Sequence, residues 1–170
     1  VIGTSWAGKT TLARELASIL GCPYVELDAL FWEADWTKAE DEVFRERTRT
    51  ATSGDRWVLD GNYSRVADIA WPRATAIVWL NLGFATVFSR AVRRTWRRIR
   101  TGEELWAGNR ESWAVLDPEW IPWWVIRTFH RRRRAYADFL RTGGSGHYRV
   151  YELRSTGGVR NFLDRARGPG

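Results

Sequence analysis

Cysteine is almost missing from this chain of 170 residues: Cys22 stands alone, so no intrachain disulfide forms and a reducing compartment suits the protein. The plain reading of Cys22 is a small buried hydrophobe beside a strand. Long apolar runs are missing too. None approaches the ~20 residues of a membrane span, which argues for a cytoplasmic protein with no membrane partner, and no signal peptide is visible. Lysine is reduced to Lys9 and Lys38, leaving arginine to carry nearly all the positive charge. The two histidines, His130 and His147, are too isolated to form a metal site. No internal repeat is present, and the glycine-rich stretch from Thr142 to Gly146 reads as a loop rather than a linker.

What remains is globular in character, with 44% apolar and 28% charged residues. A chain of this length buries roughly 70% of its unfolded surface, so residues 1–170 are expected to form a single domain with a real core. Charge is divided unevenly. Residues 1–88 carry 9 basic and 12 acidic side chains, net −3, whereas residues 89–170 carry 18 and 8, net +10. The basic half suits an anionic ligand, either a polyphosphate or a nucleic-acid backbone.

Five short runs read as strands: Val1 and Ile2, Pro23 to Leu27, Trp57 to Asp60, Ala76 to Leu82, and Tyr148 to Leu153. The first is shorter than the usual ~5 residues and is expected to be truncated. Helical patterns alternate with them. Thr10 to Leu20 places Leu12, Leu16, Ile19 and Leu20 on one face, with Gly21 as C-terminal cap. Glu40 to Thr52 is polar and helical. Phe84 to Ile99 carries a stripe of Phe84, Val87, Phe88, Val92, Trp96 and Ile99, with arginines opposite. Asp117 and Pro118 start a long helix reaching Leu140, unless Pro122 marks its beginning. Gly157 to Ala166 is a short terminal helix. Strands alternating with helices point to a parallel sheet covered on both faces.

The sequence GTSWAGKTT fits Gly-x-x-x-x-Gly-Lys-Ser/Thr, the P-loop motif, with Gly3, Gly8, Lys9 and Thr10 in register. Its glycines let backbone N–H groups turn inward as an anion nest, and the following helix adds its positive end. Gly3, Thr4, Ser5, Trp6, Ala7, Gly8, Lys9, Thr10 and Thr11 are therefore the expected nucleotide-binding residues. Lys9 reaches the β- and γ-phosphates in this scheme, and the Thr10 hydroxyl ligates Mg²⁺. Trp6 is unusual at a position that is ordinarily small; it either covers the nucleotide or packs outward.

Asp60 closes an apolar strand in RWVLDGNYSR. Ligands of open parallel sheets bind beyond the carboxyl ends of strands, so Asp60 is the second expected metal residue. The alternative is a turn or helix cap. Asp28, in YVELDALFW, has the same positional logic and is expected to accept a proton from an acceptor hydroxyl or to bind the acceptor; the alternative is a plain turn aspartate.

These segments resemble the adenylate-kinase-like P-loop kinases, in particular the bacterial branch labelled topology-modulation proteins. The resemblance covers nearly the whole length. GTSWAGKTTLA resembles the phosphate loop, YVELDALFW the acceptor-side strand end, and WVLDGNYSR the Asp-Gly-Phe-Pro-Arg segment. In the last, Asn62, Tyr63 and Ser64 replace Phe-Pro, and Arg65 falls one residue late. The resemblance implies a P-loop NTPase fold, a three-layer α/β/α arrangement with a parallel sheet of order 2-3-1-4-5, and a mobile helical, arginine-rich lid at approximately 93–125.

Arginines of SRAVRRTWRRIRTGEELWAGNRESW are expected to close over ATP, with Arg97 and Arg98 as catalytic candidates, Arg90 and Arg94 sharing their spacing, and Arg110 next. A solvated helix face is the plain alternative. Arg131 to Arg134 wrap more than a helical turn and cannot all face one ligand. Trp57 and Trp79 read as core. Trp32, Trp36, Trp106, Trp113, Trp120, Trp123 and Trp124 flank the expected acceptor site and lid, as an aromatic pocket or as ordinary packing. The leading expectation is a kinase using ATP and Mg²⁺ to phosphorylate a small acceptor, with a nucleoside or nucleotide as one class. An ATPase and a nucleotide-gated nucleic-acid-binding protein are the alternatives.

Overall fold

A computed structural model of the chain describes residues 1–109, 121–142 and 147–168. Arg110, Trp113, Asp117, Pro118 and Trp120 lie outside the described residues, as does Gly143 to Gly146; so do the side chains of Pro122, Trp123 and Trp124. In chain order the elements are β1 (Ile2–Gly3), α1 (Lys9–Leu20), β2 (Tyr24–Glu26), α2 (Leu27–Phe31), α3 (Asp41–Ala51), β3 (Val58–Asp60), α4 (Ala67–Ala70), β4 (Ala76–Leu80), α5 (Phe84–Thr101), α6 (Ile121–Thr142), β5 (Arg149–Leu153) and α7 (Thr156–Arg167).

The protein is α/β, and its strand pairings are parallel. β4 pairs with β1 on one side and β5 on the other, while β2 pairs with β3. Between these two groups, the Val1 nitrogen donates to the Leu59 carbonyl at 2.6 Å and the Gly61 N–H donates to the Val1 carbonyl at 3.2 Å. Side-chain alternation along β4 explains how both faces are covered. Val78 and Leu80 join Leu12 and Leu16 of α1, Val87 of α5 and Leu163 of α7 in one core. Ile77 and Trp79 point the other way, with Tyr136, Ala137 and Leu140 of α6 packed against them. A strand buried on both faces reads as a continuous apolar run, as AIVWL does. A separate core of Leu27, Phe31, Phe44 and Val66 holds the segment around α2 and α3 together.

Two helix faces differ from the sequence reading. Leu20 is exposed, and α1 buries Ala13 and Ala17 beside Leu12 and Leu16 instead. The face that α5 buries is Val87, Ala91, Thr95 and Arg98, whereas Val92 and Trp96 are exposed. Arg98 is inward because that part of the face meets Trp6 in the loop that precedes α1. Another difference concerns β2: it stops at Glu26, so Leu27 and Asp28 open α2 rather than ending the strand.

Two turns of 3-10 helix, Ala34–Trp36 and Trp106–Gly108, meet across one side chain. The Asn109 amide accepts from the Trp36 N–H at 2.8 Å and donates to the Glu33 and Trp106 carbonyls, each at 2.8 Å. Among the described residues no helix is long and apolar enough to cross a membrane.

Candidate phosphate-binding and acceptor site

The segment Gly3 to Gly8 leaves β1 and turns into α1. Gly3 lies so close to β4 that a Cβ there would sit 2.7 Å from the Leu80 carbonyl oxygen, and its φ of +152° is one that side chains rarely adopt. Only glycine satisfies both conditions. Thr4 and Ala7 are buried, Ser5 and Trp6 half-buried, and Thr11 exposed. The Ala7 N–H donates to the Thr4 carbonyl at 3.3 Å, and Lys9 Nζ folds back to the same oxygen at 3.3 Å. Burial lowers the pKa of the Lys9 ammonium; Asp60 and Asp28 oppose this, and Arg132 and Arg94 reinforce it.

Thr10 and Asp60, placed 50 residues apart, meet here: Thr10 Oγ1 donates to Asp60 Oδ2 at 2.7 Å. The Tyr24 hydroxyl donates to the same oxygen at 3.2 Å, and its pKa is raised by burial first, then by Asp60 and Glu26. The other carboxylate oxygen, Asp60 Oδ1, is buried and has no hydrogen-bond partner. A buried anionic oxygen left open beside a hydroxyl and an ammonium suits a cation or a ligand donor, because leaving it unmatched costs stability. Among the described residues no cluster of three or more His, Cys, Asp or Glu side chains forms, so any cation would draw most of its ligands from elsewhere.

Asp28 lies in the first turn of α2, half-buried, and the Tyr63 hydroxyl donates to its Oδ1. Burial raises its pKa above the usual carboxylate range; Tyr63, Lys9 and Arg132 pull it down, while Asp60 pushes it up. The chain between Asp60 and Tyr63 passes tightly over α2: a Cβ on Gly61 would stand 2.9 Å from the Leu27 Cβ. Around this point rings pack in sequence, with Phe31 against Trp32, Phe44 and Tyr63 at centroid distances of 5.0, 5.1 and 4.7 Å, and Trp32 against Trp36 at 5.5 Å. Arg65 turns away from Asp28 toward α3, pairing with Asp41 at 2.5 Å.

The arginines of α5 divide by face. Arg90 Nη1 donates to the Ala7 carbonyl at 2.6 Å. Arg94 and Arg98 place their guanidinium carbons 5.3 and 5.1 Å from the centre of the Trp6 ring. Trp6 thus packs outward onto α5, with a left-handed φ of 67°. Such a backbone costs a bulky residue ~1–2 kcal/mol, and two cation–π contacts at ~0.5–1 kcal/mol each are of the size needed to offset it. Arg97 is exposed and pairs with Glu103 at 3.1 Å; Arg98 is buried and lies 3.5 Å from the same carboxylate. A cleft of about 420 Å³ runs between the loop, α5 and α7, bordered by Trp6, Gly8, Thr11, Arg93, Arg97 and Arg160.

Of the four consecutive arginines on α6, Arg132 is the one whose charge is felt at Lys9, Asp28 and Tyr63. It also hydrogen-bonds Tyr136, whose hydroxyl accepts from Asn62 Nδ2. The run Arg131 to Arg134 does not by itself single out Arg132, and Tyr136 is unmarked in the sequence. The signal was helical spacing, since Phe129, Arg132, Tyr136 and Leu140 recur at three- and four-residue steps. His130 stacks on Phe84 at 6.2 Å, and His147 Nε2 lies 3.2 Å from the Trp71 carbonyl oxygen.

No protein-family model matches this chain, and no curated protein matches it. Its function is therefore argued from the site.

Proposed function

We propose that this protein is an adenylate-kinase-like P-loop phosphotransferase that uses ATP and Mg²⁺ to phosphorylate the hydroxyl of a small acceptor. The observation that carries the reading is the Thr10–Asp60 hydrogen bond of 2.7 Å, with Asp60 Oδ1 open beside it, at the first turn of the helix that follows a glycine loop. In this reading β3 and β1 adjoin, giving a sheet of order 2-3-1-4-5, and the two hydrogen bonds between Val1 and residues 59 and 61 support that order. ATP lies along the cleft with its phosphates on the loop N–H groups. Thr10 Oγ1 and Asp60 would hold the metal, which would neutralise charge on the phosphates.

Lys9 swings from its own loop carbonyl to the phosphates, a short movement that exchanges a neutral acceptor for an anion. Asp28, oriented by Tyr63, accepts the proton of the acceptor hydroxyl. The acceptor oxygen forms a bond to the γ-phosphorus, the bond from that phosphorus to the β,γ-bridging oxygen breaks, and ADP leaves with the bond electrons. Arg132 stands near both Lys9 and Asp28, which suits it to balance the charge spread over the moving group.

The test is ADP release measured with Mg²⁺ against a panel of nucleosides, nucleotides and small polyols. At least one acceptor is expected to raise the rate strongly above basal hydrolysis, and Lys9→Ala to abolish most of the turnover while leaving the circular dichroism spectrum intact. Wild-type kinetics in Lys9→Ala would refute the reading.

A further inference from the structure

We infer that Trp6 is a positioning residue that seats Arg94 and Arg98 over the phosphate loop before the ligand arrives. The inference rests on the phosphotransferase reading and adds a residue that the loop motif does not call for. Arg90, Arg94 and Arg98 are spaced by four along α5, so they form one ridge of the helix. Each of them meets the same short piece of loop. Arg90 donates to the Ala7 carbonyl at 2.6 Å, while Arg94 and Arg98 stand 5.3 and 5.1 Å from the centre of the Trp6 ring. The left-handed φ of 67° at Trp6 is what turns the indole out of the loop and onto that ridge.

The indole attracts a guanidinium through the quadrupole of its ring and adds no negative charge of its own beside the loop. An arginine held this way has also lost its side-chain freedom in advance, so closing on a phosphoryl group orders less. Arg94 is near enough to Lys9 for its charge to act there, and both Trp6 and Arg94 border the cleft beside the loop. At the other end of the ridge, Glu103 lies 3.5 Å from Arg98 Nε and 3.1 Å from Arg97 Nη2, which fixes where α5 presents its cations.

Two measurements on the full chain decide it. In kinetics with ATP, Mg²⁺ and an acceptor found by the panel, Trp6→Ala should lower kcat about tenfold or more while ATP affinity changes less than about threefold, because the arginines act mainly on the transferring group. Trp6→Phe, which keeps a ring face, should recover most of the rate. In nuclear magnetic resonance of ¹⁵N-arginine protein without ligand, two Nε–Hε signals should be shifted by the indole ring current. Arg94→Lys and Arg98→Lys should each remove one, and Trp6→Ala should return both to ordinary positions. A wild-type kcat in Trp6→Ala, a Trp6→Phe no better than Trp6→Ala, or shifted signals that survive in Trp6→Ala would each overturn the inference. If the wild-type protein binds no ATP, the phosphotransferase reading fails by itself, and the arginine signals still decide whether Trp6 seats the two side chains.

Discussion

Asp60 ends β3 and Asp28 lies in the first turn of α2, two residues past the end of β2; the two feel each other's charge, yet their surroundings assign them different work. Asp60 is bound to Thr10 and Tyr24 through one oxygen and leaves the other open. Asp60→Asn should therefore weaken Mg²⁺ dependence and depress both basal hydrolysis and transfer, since clamping the phosphates serves both. Asp28→Asn should spare ATP·Mg²⁺ binding and basal hydrolysis but lower transfer by about 10²- to 10⁴-fold, the usual contribution of a positioned base. Nucleotide affinity together with ADP release, with and without acceptor, separates the two; loss of metal-dependent binding in Asp28→Asn would reverse the assignment. Asp28 also leaves a mark on stability. Its folded pKa is raised, so the folded state keeps its proton after the unfolded state has lost it, and stability falls as pH rises from the ordinary carboxylate value to the raised one. Asp28→Asn should accordingly be more thermostable than wild type at neutral pH, with the gain vanishing below the ordinary carboxylate range. A gain independent of pH would refute burial as the cause.

At the scale of elements, α5 and α6 show where charge can act. The exposed Arg97–Glu103 pair is worth only ~0.2–1 kcal/mol, so Arg97 is readily released to a ligand in the cleft it borders. Arg132→Ala should reduce turnover about tenfold or more, the scale of a lost charge stabiliser, whereas the exposed Arg131 and Arg134 should be replaceable by Ala with nearly wild-type kinetics. Equal losses at all three positions would remove Arg132 from the site. Much of this level was legible in the sequence. The bounds of α1, α3, α5 and α7 lie within a residue or two of their expected ends, because Gly21 and the spacing of apolar residues are local signals. The buried face of α5 was not legible, since Thr95 and Arg98 are polar, and Arg98 turns inward onto Trp6, some ninety positions away. The switch from strand to helix at Leu27 escaped for a related reason: Val25, Glu26, Leu27 and Asp28 keep the apolar–polar alternation of a strand, and it is the close passage of Gly61 that helps place the switch.

For the whole molecule, the glycine loop and the first turn of α1 link several elements. Gly3 abuts β4, Thr10 reaches β3, Ala7 receives Arg90 of α5, and Lys9 feels Arg132 of α6. A ligand seated there should stabilise the entire fold. ATP with Mg²⁺ at a hundred times its dissociation constant contributes ~2.7 kcal/mol, which raises the thermal midpoint of a domain of this size by about 5–10 °C. Scanning calorimetry with and without ATP·Mg²⁺ checks this, and Lys9→Ala should lose the increase. The Asn109 amide adds a mechanical constraint. Because the Asn109 side chain makes two hydrogen bonds to the turn at Ala34–Trp36 while a third holds it to the Trp106 carbonyl of its own turn, the two turns can part there only by breaking both crossing bonds together. Short of that rupture they travel as one jaw, so whatever pulls on the chain following α5 pulls equally on the wall beside Trp32.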